Sequence, residues 1–153
     1  MKKKQTQTKR ITNRHARHDY ELGDSLLAGL QLTGAETRAL RMGHGQLRGA
    51  YVTVKENELW LINATINGTN GVPIDESDQT RARKLLVKHK EIDLLVSSKQ
   101  QGKTIIPLEI LTQGRYIKLR IALGKGRKNY DKRQVLKARD ESRNMAAAIK
   151  HSR

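Results

Sequence analysis

The chain has 153 residues, no cysteine and a formal net charge of +16, so one domain is expected and disulfides and thiolate metal sites are excluded. The charge lies at the two ends: residues 1–18 carry +7 and residues 114–153 carry +10, whereas residues 19–113 sum to −1. Basic flanks around a nearly neutral middle favour a nucleic acid as the partner.

A membrane is the less favoured acidic partner. The basic segments have few aromatic anchors, and no apolar run approaches the roughly 20 residues of a span, so neither a membrane span nor a signal peptide is predicted. The absence of cysteine is compatible with a reducing compartment, and we expect a cytoplasmic protein.

The first predicted elements are an arm, a strand and a helix. Residues 1–12 are polar and aperiodic, which predicts a disordered basic arm. Residues 20–32 are strand-like and contain five leucines available for burial. Thr33 and Glu36 have capping-box spacing, so a helix is predicted from there to about Met42. We interpret Glu36 as this structural cap rather than as a catalytic acid.

The middle of the chain predicts a hairpin and a loop. Residues 51–54 and 59–62 are strand-like and flank Glu56-Asn57, which predicts a tight hairpin turn there. Residues 63–81 are rich in Asn and Gly and have almost no periodic apolar signal, which predicts a long surface loop, either mobile or organised by a partner.

The second half of the chain predicts a short buried strand at 84–87 and a helix at 89–101 that ends before Gly102. A strand at 104–111 comes next. It contains Pro107, which should lie where its missing N–H is tolerated.

The clearest predicted strand is 116–123. Its period of two directs four apolar residues to a core and presents Lys118 and Arg120 beside Tyr116 on the opposite face. About six strands and two helices in some 105 residues favour a mainly β fold. We predict a small closed barrel of the oligonucleotide-binding type with two or three packed helices. Beyond Gly124 the apolar content falls and a basic tail begins.

Catalytic motifs are scarce. The run 124–128 departs from the phosphate-binding P-loop pattern and has no βα unit after it. Of the five histidines only His15 and His18 are close together, so no metal site is predicted. We expect these two side chains to donate hydrogen bonds to phosphate instead. The acidic cluster at 75–78 lies in a polar loop where nothing would raise a carboxyl pKa. The sequence therefore favours a protein that is not an enzyme and that needs no cofactor.

Four blocks of the sequence resemble one known family. Residues 13–20, Asn-Arg-His-Ala-Arg-His-Asp-Tyr, are similar to its N-R-K-A-R-H-x-Y motif, and residues 34–41 look like its G-T-E-V-K-S-L-R helix. Residues 81–86, with Glu91-Ile92, resemble its R-x-R-K-L-L…E-[IL] segment, and residues 124–133 resemble its A-x-G-K-K-x-[YH]-D-K-R junction. The blocks occur in the family's order, so the chain resembles the tmRNA-binding small proteins, also called SsrA-binding proteins.

The resemblance implies an oligonucleotide-binding barrel and a role in trans-translation. The family binds the tRNA-like domain of tmRNA and delivers it to ribosomes stalled on messages that lack a stop codon. Its tail is disordered when free and is thought to become helical in the empty mRNA channel of the small subunit. We therefore predict a basic arm at 1–12, an RNA-binding barrel at 13–124 and such a tail at 125–153, in a monomer.

The resemblance also implies site residues. Tyr20, Leu85 and Lys118 match positions on the family's tmRNA face, and Lys118 also lies on the cationic face of the clearest strand. The remaining residues predicted for the tmRNA face are Arg14, Arg17, His18, Arg83 and Lys84. The residues predicted to work at the decoding centre and in the mRNA channel are Lys125, Gly126, Arg127, Lys128, Tyr130, Asp131, Lys132, Arg133, Lys137, Arg139 and Ile149.

Two positions depart from the family pattern. Leu27 stands where many members have an acidic residue, and Gln79 replaces a usual proline, which predicts a looser connection there. Two alternative functions stay open: a general RNA-binding or ribosomal protein on the same barrel, and an RNA-modifying enzyme.

Overall fold

The structure is a computed structural model that describes residues 10–126, 133 and 136–145. The strands and helices described between residues 10 and 126 are, in chain order, β1 (Ile11–Thr12), α1 (Ala16–Asp19), β2 (Tyr20–Leu30), α2 (Gly34–Arg41), β3 (Gly45–Gln46), β4 (Tyr51–Lys55), β5 (Glu58–Ile62), β6 (Thr65–Ile66), α3 (Glu76–Gln79), β7 (Arg83–Leu86), α4 (His89–Gln100), β8 (Thr104–Leu111) and β9 (Lys118–Gly126). Residues 136–145 are also helical.

The main sheet has seven antiparallel strands in the order β1-β8-β9-β2-β7-β5-β4, and β3 and β6 form a separate pair. Some Cα atoms of β4 lie within 8 Å of Cα atoms of β8, which shows that the sheet curls. Among the described residues no hydrogen-bonded ladder joins the two edge strands β4 and β1. The prediction of a mainly β fold with packed helices is confirmed at this level of detail.

One apolar core fills the concave side of the sheet. Leu59, Leu119 and Ile121 contribute fully buried side chains from three strands. Leu40 of α2 and Leu95 of α4 belong to the same cluster, so both helices pack on this side. Burial of each such side chain stabilises the fold by about 1.5–3 kcal/mol.

Several elements agree with their local sequence signals. Thr33 Oγ1 accepts a hydrogen bond from Glu36 N at 3.2 Å, and Glu36 Oε1 accepts one from Thr33 N at 3.0 Å, so the predicted capping box is confirmed. Glu56 and Asn57 have φ of 53° and 59°, as a type I′ hairpin turn requires. Pro107 precedes a register shift between β8 and β9, where a missing N–H is tolerated.

Two boundaries differ from the predictions. Ile11 and Thr12 pair with Ile110 and Glu109 of β8, so the predicted arm does not include them. Ile11 is buried, and this apolar anchor explains the pairing. At the other end, β9 continues to Gly126, two residues into the predicted tail.

The 63–81 segment, which is predicted to be a long surface loop, contains two short regular elements. Thr65–Ile66 forms β6, and Glu76–Gln79 forms α3. Ala64 and Ile66 are buried in the core, so two apolar residues without periodicity help to hold the segment against the sheet.

Candidate RNA interface

The convex side of the sheet, here called the outer face, carries the residues that alternate with the core positions of β8, β9, β2 and β7. One row across it runs Leu86–Gly29–Lys118–Leu111, and the next runs Leu27–Arg120–Glu109. Because side chains alternate along a strand, these rows point away from the core. Leu27 and Leu86 are 44% and 53% exposed, so the expectation that both are buried is wrong.

The segment before β2 is fixed at one end of the outer face. Asn13 N donates to Leu108 O at 2.7 Å, and Asn13 Nδ2 donates to Pro107 O at 3.0 Å. Ala16 is buried, whereas Arg14 and Arg17 are exposed. A short segment tied to β8 therefore presents two arginines to solvent, Arg14 just before α1 and Arg17 within it.

A groove of about 790 Å³ joins this segment to the sheet. The predicted residues Arg14, Arg17 and Tyr20 line it together with Arg120 of β9. Glu21 and Glu109 also line it, and Glu109 Oε1 lies 3.2 Å from Arg120 Nε, although that nitrogen lacks hydrogen-bond geometry. The groove thus has a cationic rim with one partly neutralised arginine.

A second groove of about 370 Å³ lies at the other end of the outer face. Lys118, Leu86, Arg115 and Tyr116 are among its lining residues. The Arg115 guanidinium carbon lies 5.5 Å from the centroid of the Tyr116 ring, which is a cation–π arrangement. Arg115 is absent from the predicted site residues, although it directly precedes the aromatic and cationic positions that the strand pattern identifies.

Arg83 and Leu85 do not reach the outer face, which corrects their prediction as RNA contacts. They are 0% and 2% exposed, respectively. Leu85 packs in the core, and their outward neighbours in β7 are Lys84 and Leu86. The sequence signal misses this because charged and apolar residues do not alternate in this strand.

Arg83 is instead the centre of a buried network. Its Nε lies 2.5 Å from Glu36 Oε2, and its Nη1 and Nη2 donate to four backbone oxygens at 2.8–3.2 Å. All four oxygens, from Ala64, Asp78, Gln79 and Arg81, belong to the 63–81 segment. One arginine therefore holds the segment that the sequence predicts to be a loop.

Glu36 joins this network to α2 and also pairs with Arg81. Burial raises the pKa of the Glu36 carboxyl, but hydrogen bonds from Arg81, Thr33 and Arg83 lower that pKa by more, so the net shift is downward. Burial also lowers the pKa of Arg83, against the opposing effect of Glu36. The guanidinium stays charged nonetheless, because its pKa begins far above neutrality.

Lys84 and His18 are brought to the surface, each beside an acid. Lys84 Nζ lies 2.8 Å from Glu58 Oε1, and His18 Nδ1 lies 3.0 Å from Asp19 Oδ1. Both pairs are partly exposed, so each contributes little to stability.

Gly124 begins the glycine- and lysine-rich run at 124–128. A Cβ atom there would collide with Ile106 Cδ1 and approach the Glu21 carbonyl at 3.3 Å. The close packing of β9 against its neighbours therefore accounts for this glycine.

The predicted tail residues are described only in part. Lys125 and Gly126 are exposed and pair with Glu21 and Tyr20 in the sheet. Arg133, Lys137 and Arg139 are exposed in helical backbone, and Arg139 also lines the larger groove. The predictions for Arg127, Lys128, Tyr130, Asp131, Lys132 and Ile149 concern positions outside the described residues.

The described part of the chain lacks two further kinds of feature. It contains no group of three or more His, Cys, Asp or Glu side chains arranged to hold a metal ion. Its helices are also too short or too polar to cross a bilayer.

Comparison with known proteins supplies the family. The family model for "SmpB protein" matches residues 10–151. An SsrA-binding protein of Nostoc sp. is 40% identical over 141 residues, with 91% of each chain covered. One of Streptococcus pyogenes is 37% identical over 140 residues, with 91% of this chain and 90% of the relative covered. A chain of the solved structure "tmRNA-SmpB: a journey to the center of the bacterial ribosome" is 34% identical, with a TM-score of 0.64 over 78% of this chain and 85% of that one. This chain belongs to the SmpB protein family.

Proposed function

We propose that this protein is an RNA-binding adaptor that binds the tRNA-like domain of tmRNA and delivers it to stalled ribosomes in trans-translation. Membership of the SmpB family supports this proposal. The observation that carries it here is the grouping of Arg14, Arg17, Tyr20 and Lys118 along one outer face of the sheet.

The outer face suits a folded RNA for two reasons. Exposed cations at both of its ends can contact phosphates of the RNA backbone, which supplies affinity without reading sequence. The face also carries the exposed apolar side chains Leu27 and Leu86 and the exposed ring of Tyr116. Such groups bind unstacked bases and sugars rather than the grooves of a duplex.

Direct contacts with tmRNA are assigned to the exposed members of the predicted set. Arg14, Arg17 and Lys118 are exposed and carry charge, while Tyr20 is half-buried beside the larger groove. Arg83 and Leu85 support the face from beneath. In this proposal the curled sheet acts as an oligonucleotide-binding barrel. Its strands form a shallow surface to which single-stranded or looped nucleic acid binds.

The basic tail is assigned to the ribosome, at the decoding centre and in the mRNA channel of the small subunit. Lys125 and Gly126 would lead into it from the end of β9. The protein would act as a monomer in the cytoplasm, where ribosomes work, and without catalysis or a cofactor.

A filter-binding comparison tests the function. The full chain should bind the tRNA-like domain of tmRNA more tightly than it binds an ordinary elongator tRNA at the same salt concentration. Equal affinities would instead indicate a general RNA-binding or ribosomal protein. Turnover of labelled RNA by the purified protein alone would support an RNA-modifying enzyme and contradict the adaptor.

A further inference from the structure

The connection between β8 and β9 is held by one side chain of α2. Arg41 Nη1 donates to Thr112 O at 2.9 Å and to Gly114 O at 3.1 Å, and its Nη2 donates to Arg115 O at 3.0 Å. A guanidinium is planar and offers its donors in a fixed fork, so these three bonds restrict the turn strongly. The turn is therefore anchored to a helix that belongs to the core.

The two ends of the connection are also fixed. Thr112 is 3% exposed and Ile117 is 5% exposed, so both flanks are buried. Between them Tyr116 is 66% exposed. An aromatic ring that is held outward by buried flanks and by a three-bond clamp is preorganised for a partner, which reduces the ordering cost of binding.

The surroundings of the ring indicate the chemistry of that partner. Arg115 lies against Tyr116 at 5.5 Å, while Lys118 and Leu86 line the adjacent groove. None of the nine residues that line this groove is acidic. Two cations beside an aromatic ring complement a nucleotide, whose base stacks on the ring and whose phosphate pairs with a cation.

We propose that Tyr116, Arg115 and Lys118 form a subsite that stacks one unpaired base of the bound RNA, and that Arg41 is its positioning residue. The inference rests on the proposed function. The guanidinium of Arg115 lies over the ring of Tyr116, the base stacks on the ring as well, and Lys118 contacts the adjoining phosphate. The base must be unpaired, because a paired base is already stacked within its helix.

Affinity for the tRNA-like domain, measured by fluorescence anisotropy with the full chain, tests the stack. Tyr116→Ala should weaken binding about 5- to 140-fold, which corresponds to the roughly 1–3 kcal/mol of base–aromatic stacking at about 1.4 kcal/mol per tenfold. Tyr116→Phe keeps the ring and should change affinity less than about twofold. The loss in Tyr116→Ala should leave the salt dependence unchanged, because stacking releases no counterions.

A double-mutant cycle tests the role of Arg41. Arg41→Gln should weaken binding in the wild-type background but add little to Tyr116→Ala, since both changes act through the same ring. Arg38→Gln is the matched control: it removes an equal charge from the surface of α2 and should have little effect in either background. Arg41→Gln should also speed amide hydrogen exchange in residues 112–117 while leaving the melting temperature nearly unchanged.

Three results would overturn the inference. Unchanged affinity in Tyr116→Ala excludes a stacked base, and equal losses in Tyr116→Phe and Tyr116→Ala indicate a hydroxyl contact instead. A loss in Arg41→Gln that is equally large in both backgrounds means that Arg41 acts independently of the ring. Failure of the proposed function is separate, because it would appear as a wild-type protein without preference for the tRNA-like domain.

Discussion

Glu36→Gln should lower the free energy of unfolding by about 3–5 kcal/mol, the usual cost of removing one partner from a buried ion pair. Arg83 is 0% exposed and would lose the carboxylate that lies 2.5 Å from its Nε. Gln at this position can still accept the Thr33 N–H bond of the capping box, so the substitution spares the cap and removes the carboxylate charge from both Arg83 and Arg81. Against a total stability of about 5–15 kcal/mol, the loss is large.

Urea unfolding monitored by fluorescence can measure this change. Trp60 is the only tryptophan and pairs with Lys84 of β7, next to Arg83. With a slope of about 2 kcal/mol per molar urea, the midpoint should fall by about 1.5–2.5 M. Thr33→Ala is the matched control, because it removes the cap but keeps the ion pair. It should cost only about 1 kcal/mol, or about 0.5 M.

The effect of Glu36→Gln should also depend on pH. The pKa of Glu36 is lower in the folded protein than its ordinary value, so the unfolded state binds more protons and stability rises with pH through that range. The wild type should lose the stability contributed by the Glu36 carboxylate as pH falls below about 5, whereas the variant has no carboxyl at position 36. The gap between their midpoints should therefore narrow in acid. A gap of equal size at about pH 7 and about pH 3.5, or a Thr33→Ala variant as unstable as Glu36→Gln, would refute the reasoning.

Three further predictions concern RNA. Lys118→Gln should weaken binding and reduce the slope of log affinity against log salt by about one. The control Lys55→Gln, at the hairpin of edge strand β4, should change neither quantity. Equal effects of the two substitutions would contradict RNA binding at the outer face. If about six phosphates are neutralised, wild-type affinity should fall about a thousandfold between roughly 50 and 200 mM salt, and a nearly flat response in a titration would exclude charge-led binding. Deletion of residues 131–153 should leave affinity for the tRNA-like domain nearly intact and abolish peptide tagging on stalled ribosomes, so a large loss in the binding assay would assign the tail to tmRNA instead.

Elements with a local signal could be predicted from the sequence. The capping box at Thr33 and Glu36, the turn at Glu56-Asn57 and the alternation in β9 all depend on residues close together in the chain. The cationic side chain of Lys118 could be assigned to the outer face for the same reason. Period-two alternation there leaves only one side chain orientation that buries the apolar set.

Contacts between distant segments could not be predicted. The sequence of the 63–81 segment predicts a long surface loop, because the residue that holds it lies outside it. That residue is Arg83, which comes later in the chain and donates to the carbonyls of Ala64 and Asp78. The clamp on the β8–β9 connection likewise comes from Arg41, which precedes its acceptors by 71 to 74 residues in the chain. Nothing in the composition of either segment indicates a partner that only the fold brings near.

The two sides of β7 explain why the sequence places Arg83 on the wrong surface, and they predict different effects of substitution. Arg83 and Leu85 point to the core, while Lys84 and Leu86 point outward. One four-residue strand therefore combines two separate sets of contacts, one that holds the fold and one that borders the RNA face.

A substitution at Arg83 would reduce RNA binding in any assay that counts total protein, but only in proportion to the unfolded fraction. A substitution at Leu86 should reduce affinity without moving the urea midpoint, because that side chain is already 53% exposed. Affinity normalised to the folded fraction thus separates the two sides of the same strand.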